Sequence, residues 1–207
     1  MPRKMKMKTE MLKLFSPFDF KNIARIVDVV SPLWSPEDLS EDFRRLYAEF
    51  IVRENICAPG FSLQLASIEG DFLSAAFANK KGAKSGATAW IKSKNLDEKM
   101  MKRIEMAREY LEMMDAKTYA LMNENDIKLS LFVSAKKGAG SPLLQKFTGM
   151  ISEKGFKNIF LWTDIECNYD WYFKHGYNLI LRAPYAPFSE ENAPYETFVF
   201  KKSLAEK

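Results

Sequence analysis

Two short stretches combine residue types and spacings that can do chemistry. The first, SAKKGAGSPLL (134–144), sets two lysines and two glycines between an apolar strand-like run and a helix-like one. A strand, a Gly-x-Gly turn and a helix together form a device for holding phosphate. The first helical turn leaves backbone N–H groups without partners, and the helix dipole adds partial positive charge there. Gly138 and Gly140 remove side chains so that an anion can approach the main chain. Pro142, which has no N–H, suits the first turn, and Lys136 and Lys137 add charge. Alone the pattern is weak, because short Gly-x-Gly turns are more often structural. It is not a P-loop, since no Gly-Lys-Ser/Thr follows, and not a dinucleotide fingerprint, since the third glycine is missing.

The second stretch, TDIECNYDWYFKHGY (163–177), holds the only histidine, His175, and one of the two cysteines, Cys167. A single histidine gives little support to Cys/His or Ser/His/Asp catalysis. Cys57 and Cys167 have neither metal-like spacing nor a disulfide framework, so no metal site is expected.

Taken together, the two stretches resemble the GCN5-related N-acetyltransferase superfamily, whose members transfer an acyl group from acyl-CoA to an amine. That family has a strand, a Gly-x-Gly-type pyrophosphate loop opening a helix, and a second strand. An Asn, an aromatic-Tyr pair, a Lys and a Gly-aromatic pair then lie on a short helix. Asn168, Trp171-Tyr172, Lys174 and Gly176-Tyr177 stand at those positions. The likeness covers about 127–182. It departs at Ala135, where the family usually has Gln or Arg three residues before the first glycine, and the loop is shorter than usual. A helical segment at 96–122 is longer than a minimal member would carry.

The resemblance implies an α/β (α+β) fold: a mixed, mostly antiparallel central sheet flanked by helices, acyl-CoA N-acyltransferase-like. It implies acetyl-CoA as co-substrate, a small-molecule or peptide amine as acceptor, and direct attack of the amine on the thioester. The main chain at Phe132 and Val133 would meet the pantetheine arm, their side chains being core. Backbone N–H groups of Lys137, Gly138, Ala139, Gly140 and Ser141 would hold the pyrophosphate. Asn168 would bond the pantetheine, with a helix N-cap as its plainer role. Tyr172 would be the general acid that protonates the departing thiolate, with a core tyrosine as the alternative. Trp171 reads as packing and Cys167 as a buried structural thiol. His175 occupies a position the family leaves variable and reads as a surface histidine. Glu69, Asp164 and Glu166 lie near strand ends, where one could take the proton of an amine whose pKa is near 10; the sequence does not choose among them.

The rest of the chain has to position these groups. Its 207 residues, 47% hydrophobic and 28% charged, are ordinary for a soluble globular protein, and no repeat or linker divides them, so 1–207 reads as a single domain. The basic start PRKMKMK lacks an apolar core and a cleavage site, and 1–15 reads as a basic tail or a first strand. No apolar run nears the ~20 residues of a membrane helix. The chain reads as cytoplasmic, with its oligomeric state open, a homodimer included. The surplus of +4 is too small to argue for nucleic acid, so PRKMKMK and KKGAKSGA (80–87) leave that as a minor alternative. A second alternative is a non-catalytic acyl-CoA-binding domain.

Periodicity supplies the elements. Ile23, Ile26, Val27 and Val30 mark a helix that SPLWSP should break, and a second helix should start near Pro36 with Ser35 as cap. Its stripe is Phe43, Leu46, Tyr47, Phe50 and Ile51. FSLQLASIEG and DFLSAAFANK read as a hairpin turning at Gly70-Asp71. Met100, Ile104, Ala107, Leu111 and Met114 form the seam of the long helix. Strands IKLSLFVS, NIFLWTD, NLILRAP and YETFVFKKS follow, with a helix from Gly140 packing through Leu143, Leu144, Phe147 and Ile151.

Overall fold

The computed structural model describes residues 13–57, 59–191 and 193–204, so PRKMKMK lies outside the described residues. The strands are β1 (Lys13–Ser16), β2 (Ser62–Ser67), β3 (Phe72–Asn79), β4 (Asp126–Ser134), β5 (Asn158–Asp164), β6 (Asn178–Pro184) and β7 (Glu196–Ser203). The helices are α1 (Ile23–Trp34), α2 (Glu41–Asn55), α3 (Ala87–Lys92), α4 (Glu98–Ala120), α5 (Gly140–Glu153) and α6 (Asp170–Phe173). One seven-stranded sheet runs in the order β1-β2-β3-β4-β5-β7-β6, antiparallel everywhere except between β4 and β5. This is the mixed, mostly antiparallel sheet that the two stretches imply.

The apolar stripes of α1, α4 and α5 went where their spacing placed them, whereas in α2 Phe43 and Phe50 are buried with Ala48 and Val52, and Leu46, Tyr47 and Ile51 are only half-buried. Ile23, Ile26, Val27 and Val30 are buried, yet α1 runs on through Pro32 to Trp34. Proline at 32 forfeits a hydrogen bond only to Asp28, whose exposed carbonyl region water can serve. α2 begins at Glu41 rather than near Pro36. Ser35 is not its cap; the hydroxyl donates to the Arg44 carbonyl at 2.8 Å and ties the two helices together. Ile104, Ala107, Leu111 and Met114 are the buried seam of α4, capped by Asp97, which accepts from Met100 N–H. The loop at 80–95 contains the short α3, and α6 is a single turn.

Helices cover both faces of the sheet. On one side α5 packs through Leu143, Leu144, Phe147 and Ile151 onto Ala76, Ala78, Ile127, Leu129, Ile159, Leu161 and Phe200. On the other, α1 and α2 meet Ala75, Phe77, Leu131 and Val133, while α4 meets Phe160, Trp162 and Val199.

Strand β4 carries an irregularity with large consequences. Phe77 of β3 pairs with Leu131 and Ala78 with Leu129, so Ser130 is an extra residue that opposes nothing. Such a bulge bends and twists its strand. The parallel pairing of β4 with β5 stops at Lys128↔Phe160, just before it. Beyond that point the two central strands part, and a wedge opens toward their C-terminal ends. The Ser130 hydroxyl stays satisfied, donating to the Asn55 carbonyl at 2.7 Å.

Candidate active site

The wedge leads to the 135–139 loop. Gly138 has φ of +85°, a conformation that a side chain would strain. The turn lets Ala139 N–H reach the Lys136 carbonyl at 3.0 Å, and the Ser74 hydroxyl donates to the Ala139 carbonyl at 3.3 Å from β3. Among the described residues, the N–H groups of Lys137, Gly138, Gly140 and Ser141 have no backbone partner. They sit at the positive end of α5, a helix of 14 residues. Gly140 is also fixed by packing: a Cβ there would lie 3.0 Å from Phe132 Cζ. Lys137 and Gly138 are exposed, Ala139 and Gly140 buried, and Ser141 exposed.

Phe132 and Val133 are the last residues but one of β4, paired on one edge to Ala76 and Ala75. Their other edge faces the gap, where β5 no longer pairs with them. Val133 is buried in the α1–α2 face, whereas the Phe132 ring stacks on Trp171 at 5.1 Å. Ala135 is exposed and its N–H bonds the Leu73 carbonyl at 2.9 Å.

On the far side of the wedge, α6 brings Tyr172 against Trp171, Tyr177 and Phe200. Burial, and then the neighbouring Cys167, pushes the Tyr172 phenol well above its usual range. The group therefore holds its proton at neutral pH, as a general acid must. Cys167 is pushed up to about 11, by burial first and by Asp164 second, so it stays a thiol. Asn168 is exposed and does not cap α6; Tyr169 holds that position, and the Asn168 carbonyl accepts from Trp171 N–H at 3.2 Å. The Tyr177 hydroxyl is buried without a partner among the described residues.

His175 is not the bare surface residue that its position implied. It is half-buried, stacks on Trp171 at 3.5 Å and bonds the Trp171 carbonyl through Nδ1 at 2.8 Å. A carbonyl only accepts, so Nδ1 carries a hydrogen, and in the tautomer with Nε2 bare that nitrogen accepts from the Ser141 hydroxyl at 2.9 Å. This bridge joins the first turn of α5 to α6 across the wedge. An i, i+4 Trp-His pair was the only signal in the sequence.

The three carboxylates fare differently. Glu69 is exposed in the β2–β3 turn and Glu166 is exposed beyond β5. Asp164, the last residue of β5, is 8% exposed. Its Oδ2 accepts from the Tyr110 phenol of α4 at 2.9 Å, while Oδ1 is buried with no partner among the described residues. Around Tyr110 stand Tyr185, Phe188 and Tyr195, with ring centroids 4.9, 5.1 and 6.2 Å away. Burial, and then the Asp164 charge, raises the pKa of both Tyr110 and Tyr195.

Nearer the apex, Lys128 is 1% exposed and paired with Asp115 of α4, which also accepts from the Trp162 indole at 2.7 Å. Burial lowers the Lys128 pKa and Asp115 opposes it. Among the described residues no cluster of three His, Cys, Asp or Glu could hold a metal, and no helix is long and apolar enough to cross a membrane.

No protein-family model matches the chain, and no curated protein does either. Solved structures do. The C-terminal condensation domain of Ebony in complex with beta-alanyl-dopamine aligns at a TM-score of 0.63 and 12% identity, over 93% of this chain and 99% of that one. A GCN5-related N-acetyltransferase from Kribbella flavida aligns at 0.55 and 11%, over 93% and 98%. A mosquito arylalkylamine N-acetyltransferase like 5b aligns at 0.53 and 12%, over 93% and 100%. Identities this low speak to architecture alone, and that architecture, a splayed parallel pair within a mixed sheet, is the GCN5-related N-acetyltransferase fold.

Proposed function

We propose that this protein is an acyl-CoA-dependent N-acyltransferase that moves an acetyl group from acetyl-CoA to a primary amine by direct attack. The observation that carries the reading is a conjunction. The opened β4–β5 pair ends at unbonded N–H groups on a glycine turn at the positive end of α5. The fit is chemical: Lys137, Gly138, Gly140 and Ser141 offer donors to a diphosphate, with Ala139 completing the turn, and the exposed Gly138 leaves the approach bare. The main-chain edge at Phe132 and Val133 matches the amides of a pantetheine arm in the manner of an added strand. Asn168, exposed just before α6, is the side chain this reading assigns to the same arm.

Tyr172 is the general acid of this reading. When the amine nitrogen bonds the thioester carbon and the C–S bond breaks, the thiolate takes the phenolic proton. A proton shed by the nitrogen restores the phenol. The neighbours' amine chemistry supports a small amine as acceptor, the Ebony domain being bound to an acylated aromatic amine.

Thermal unfolding with and without acetyl-CoA tests the cofactor half. At ~100 times its dissociation constant a ligand of the folded state adds about 2.7 kcal/mol, a readable shift. Gly138→Asp should abolish it, through strain at positive φ and charge repulsion. No shift in the native protein would end the reading. A shift without turnover across an amine panel would favour the non-catalytic acyl-CoA-binding alternative, which Ala135 motivates.

A further inference from the structure

We propose that the acceptor is an aromatic primary amine, held by Asp164 within the box of Tyr110, Tyr185, Phe188 and Tyr195, and that Asp164 takes its proton. This deepens the transferase reading and rests on it. Three observations carry it. First, at the C-terminal end of β5, where the wedge opens, a carboxylate oxygen is buried without a partner among the described residues, with only the Tyr195 phenol and the Cys167 thiol beside the same carboxylate. A buried acceptor without a donor is costly, and an ammonium group supplies the missing donor together with the opposite charge.

Second, the groups around it are rings rather than basic residues. Tyr110 and Phe188 each contact the other three rings of the set Tyr110, Tyr185, Phe188 and Tyr195, with centroid separations from 4.8 to 6.2 Å. Aromatic faces attract a cation, and flat apolar walls favour a flat apolar body attached to it. Phe188, at 36% exposed, closes the solvent side and is the ring that a ligand would displace. Third, the placement is on the face opposite α5, so an amine in the box and a thioester in the wedge meet from two sides of β5.

The proton balance closes. The bound ammonium passes one proton to the Asp164 carboxylate, and the freed lone pair attacks the thioester carbon. As the C–S bond breaks, the thiolate takes the Tyr172 proton. The second nitrogen proton restores that phenol, and the acid form of Asp164 returns its proton to water. Tyr110 from α4, Cys167 after β5 and Tyr195 from the β6–β7 connection interact with this carboxylate, Glu166 and Glu109 act on Tyr195 and Tyr185, and Glu196, next to Thr197, lies on the other face of β7. Glu196 is engaged by Arg182.

The experiment measures binding of tyramine, n-butylamine and 4-ethylphenol to the CoA-saturated protein by calorimetry. Tyramine should bind at least ~10-fold tighter than either other probe, because only it presents both the cation and the ring. Asp164→Asn keeps an acceptor for Tyr110 and should lose tyramine affinity ~10-fold or more while keeping the acetyl-CoA shift. Phe188→Ala, at an exposed ring, should weaken tyramine and leave butylamine unchanged. In turnover, Asp164→Asn should cut kcat/KM for tyramine ~100-fold, and its residual rate should climb with pH toward ~10 as free amine accumulates. Equal affinities for tyramine and butylamine, no tyramine binding, or an Asp164→Asn protein with native binding and pH profile would each overturn the proposal. An absent acetyl-CoA shift in the native protein strikes the transferase reading instead, and so the two failures are told apart.

Discussion

Toward α5, the central strands present Ala76, Leu129, Leu161 and Phe200, all buried and all apolar. Toward α4, neighbouring positions on β4 and β5 present Lys128, Trp162 and Asp164, and α4 answers with Tyr110 and Asp115. The same two strands thus serve as a dry platform on one side and a polar wall on the other. On the proposed reading the division has a reason. The α5 side binds through main-chain N–H groups, which need only rigid support. The α4 side must meet a charged amine and move its proton, which needs side chains.

Four measurements would break or sharpen this contrast, taken from the largest effect down. Tyr172→Phe should lower kcat by ~100-fold or more while leaving the acetyl-CoA shift intact, since only the proton donor is lost. A native kcat in that variant would leave the α5 side a binding surface only. Asp115→Asn should cost about 3 kcal/mol by stranding buried Lys128, whereas Lys128→Met should change stability by no more than about 1 kcal/mol. Equal losses, read as equal drops in Tm, would mean that the polar wall is held by packing rather than by the ion pair.

The third measurement is Tm from pH 8 to 11. Tyr110, Tyr119, Tyr172, Tyr177 and Tyr195 all have folded pKa values raised above the ordinary value near 10, chiefly by burial. The folded state then holds protons that the unfolded chain gives up. Their contribution is complete below pH 10 and is lost as pH rises past it. Lys128 and Lys202, both lowered by burial, work the other way and recover stability as pH approaches 10.5, but they are two groups against five. A flat or rising Tm above pH 10 would contradict this balance. Smallest of all, Tyr177→Phe should stabilise the protein by about 1 kcal/mol at neutral pH, because it removes a buried hydroxyl that has no partner. A destabilised variant would show that the hydroxyl is served by water.

The two sides also differ in how far the sequence disclosed them. Gly138, Gly140 and Pro142 are local signals: a strand, a positive-φ turn and a helix start are consecutive in the chain, and backbone donors follow from them whatever the side chains are. The Asp164 box is assembled from positions 110, 164, 185, 188 and 195, and nothing in their spacing brings them together before the sheet order is known. Asp164 could be named as one carboxylate of three, but its burial depends on α4 lying across β5. The helices were legible from their stripes and misread at Ser35 and Pro32. Near-neighbour propensity favours a break there, and the contact with Arg44 overrides it. His175 was misjudged for a similar reason, because its partner Ser141 is 34 residues distant.

The extra residue at Ser130 acts on β4 as a phase slip does on a repeating signal. Before it, odd-numbered Ile127 and Leu129 face α5; after it, odd-numbered Leu131 and Val133 face α1 and α2. Deleting that one serine would restore plain alternation, leave Leu131 and Val133 on the face they now occupy, and let β4 rejoin β5. Most substitutions along β4 would merely weaken the protein. This single deletion would instead yield a well-formed sheet in which the cleft has healed shut.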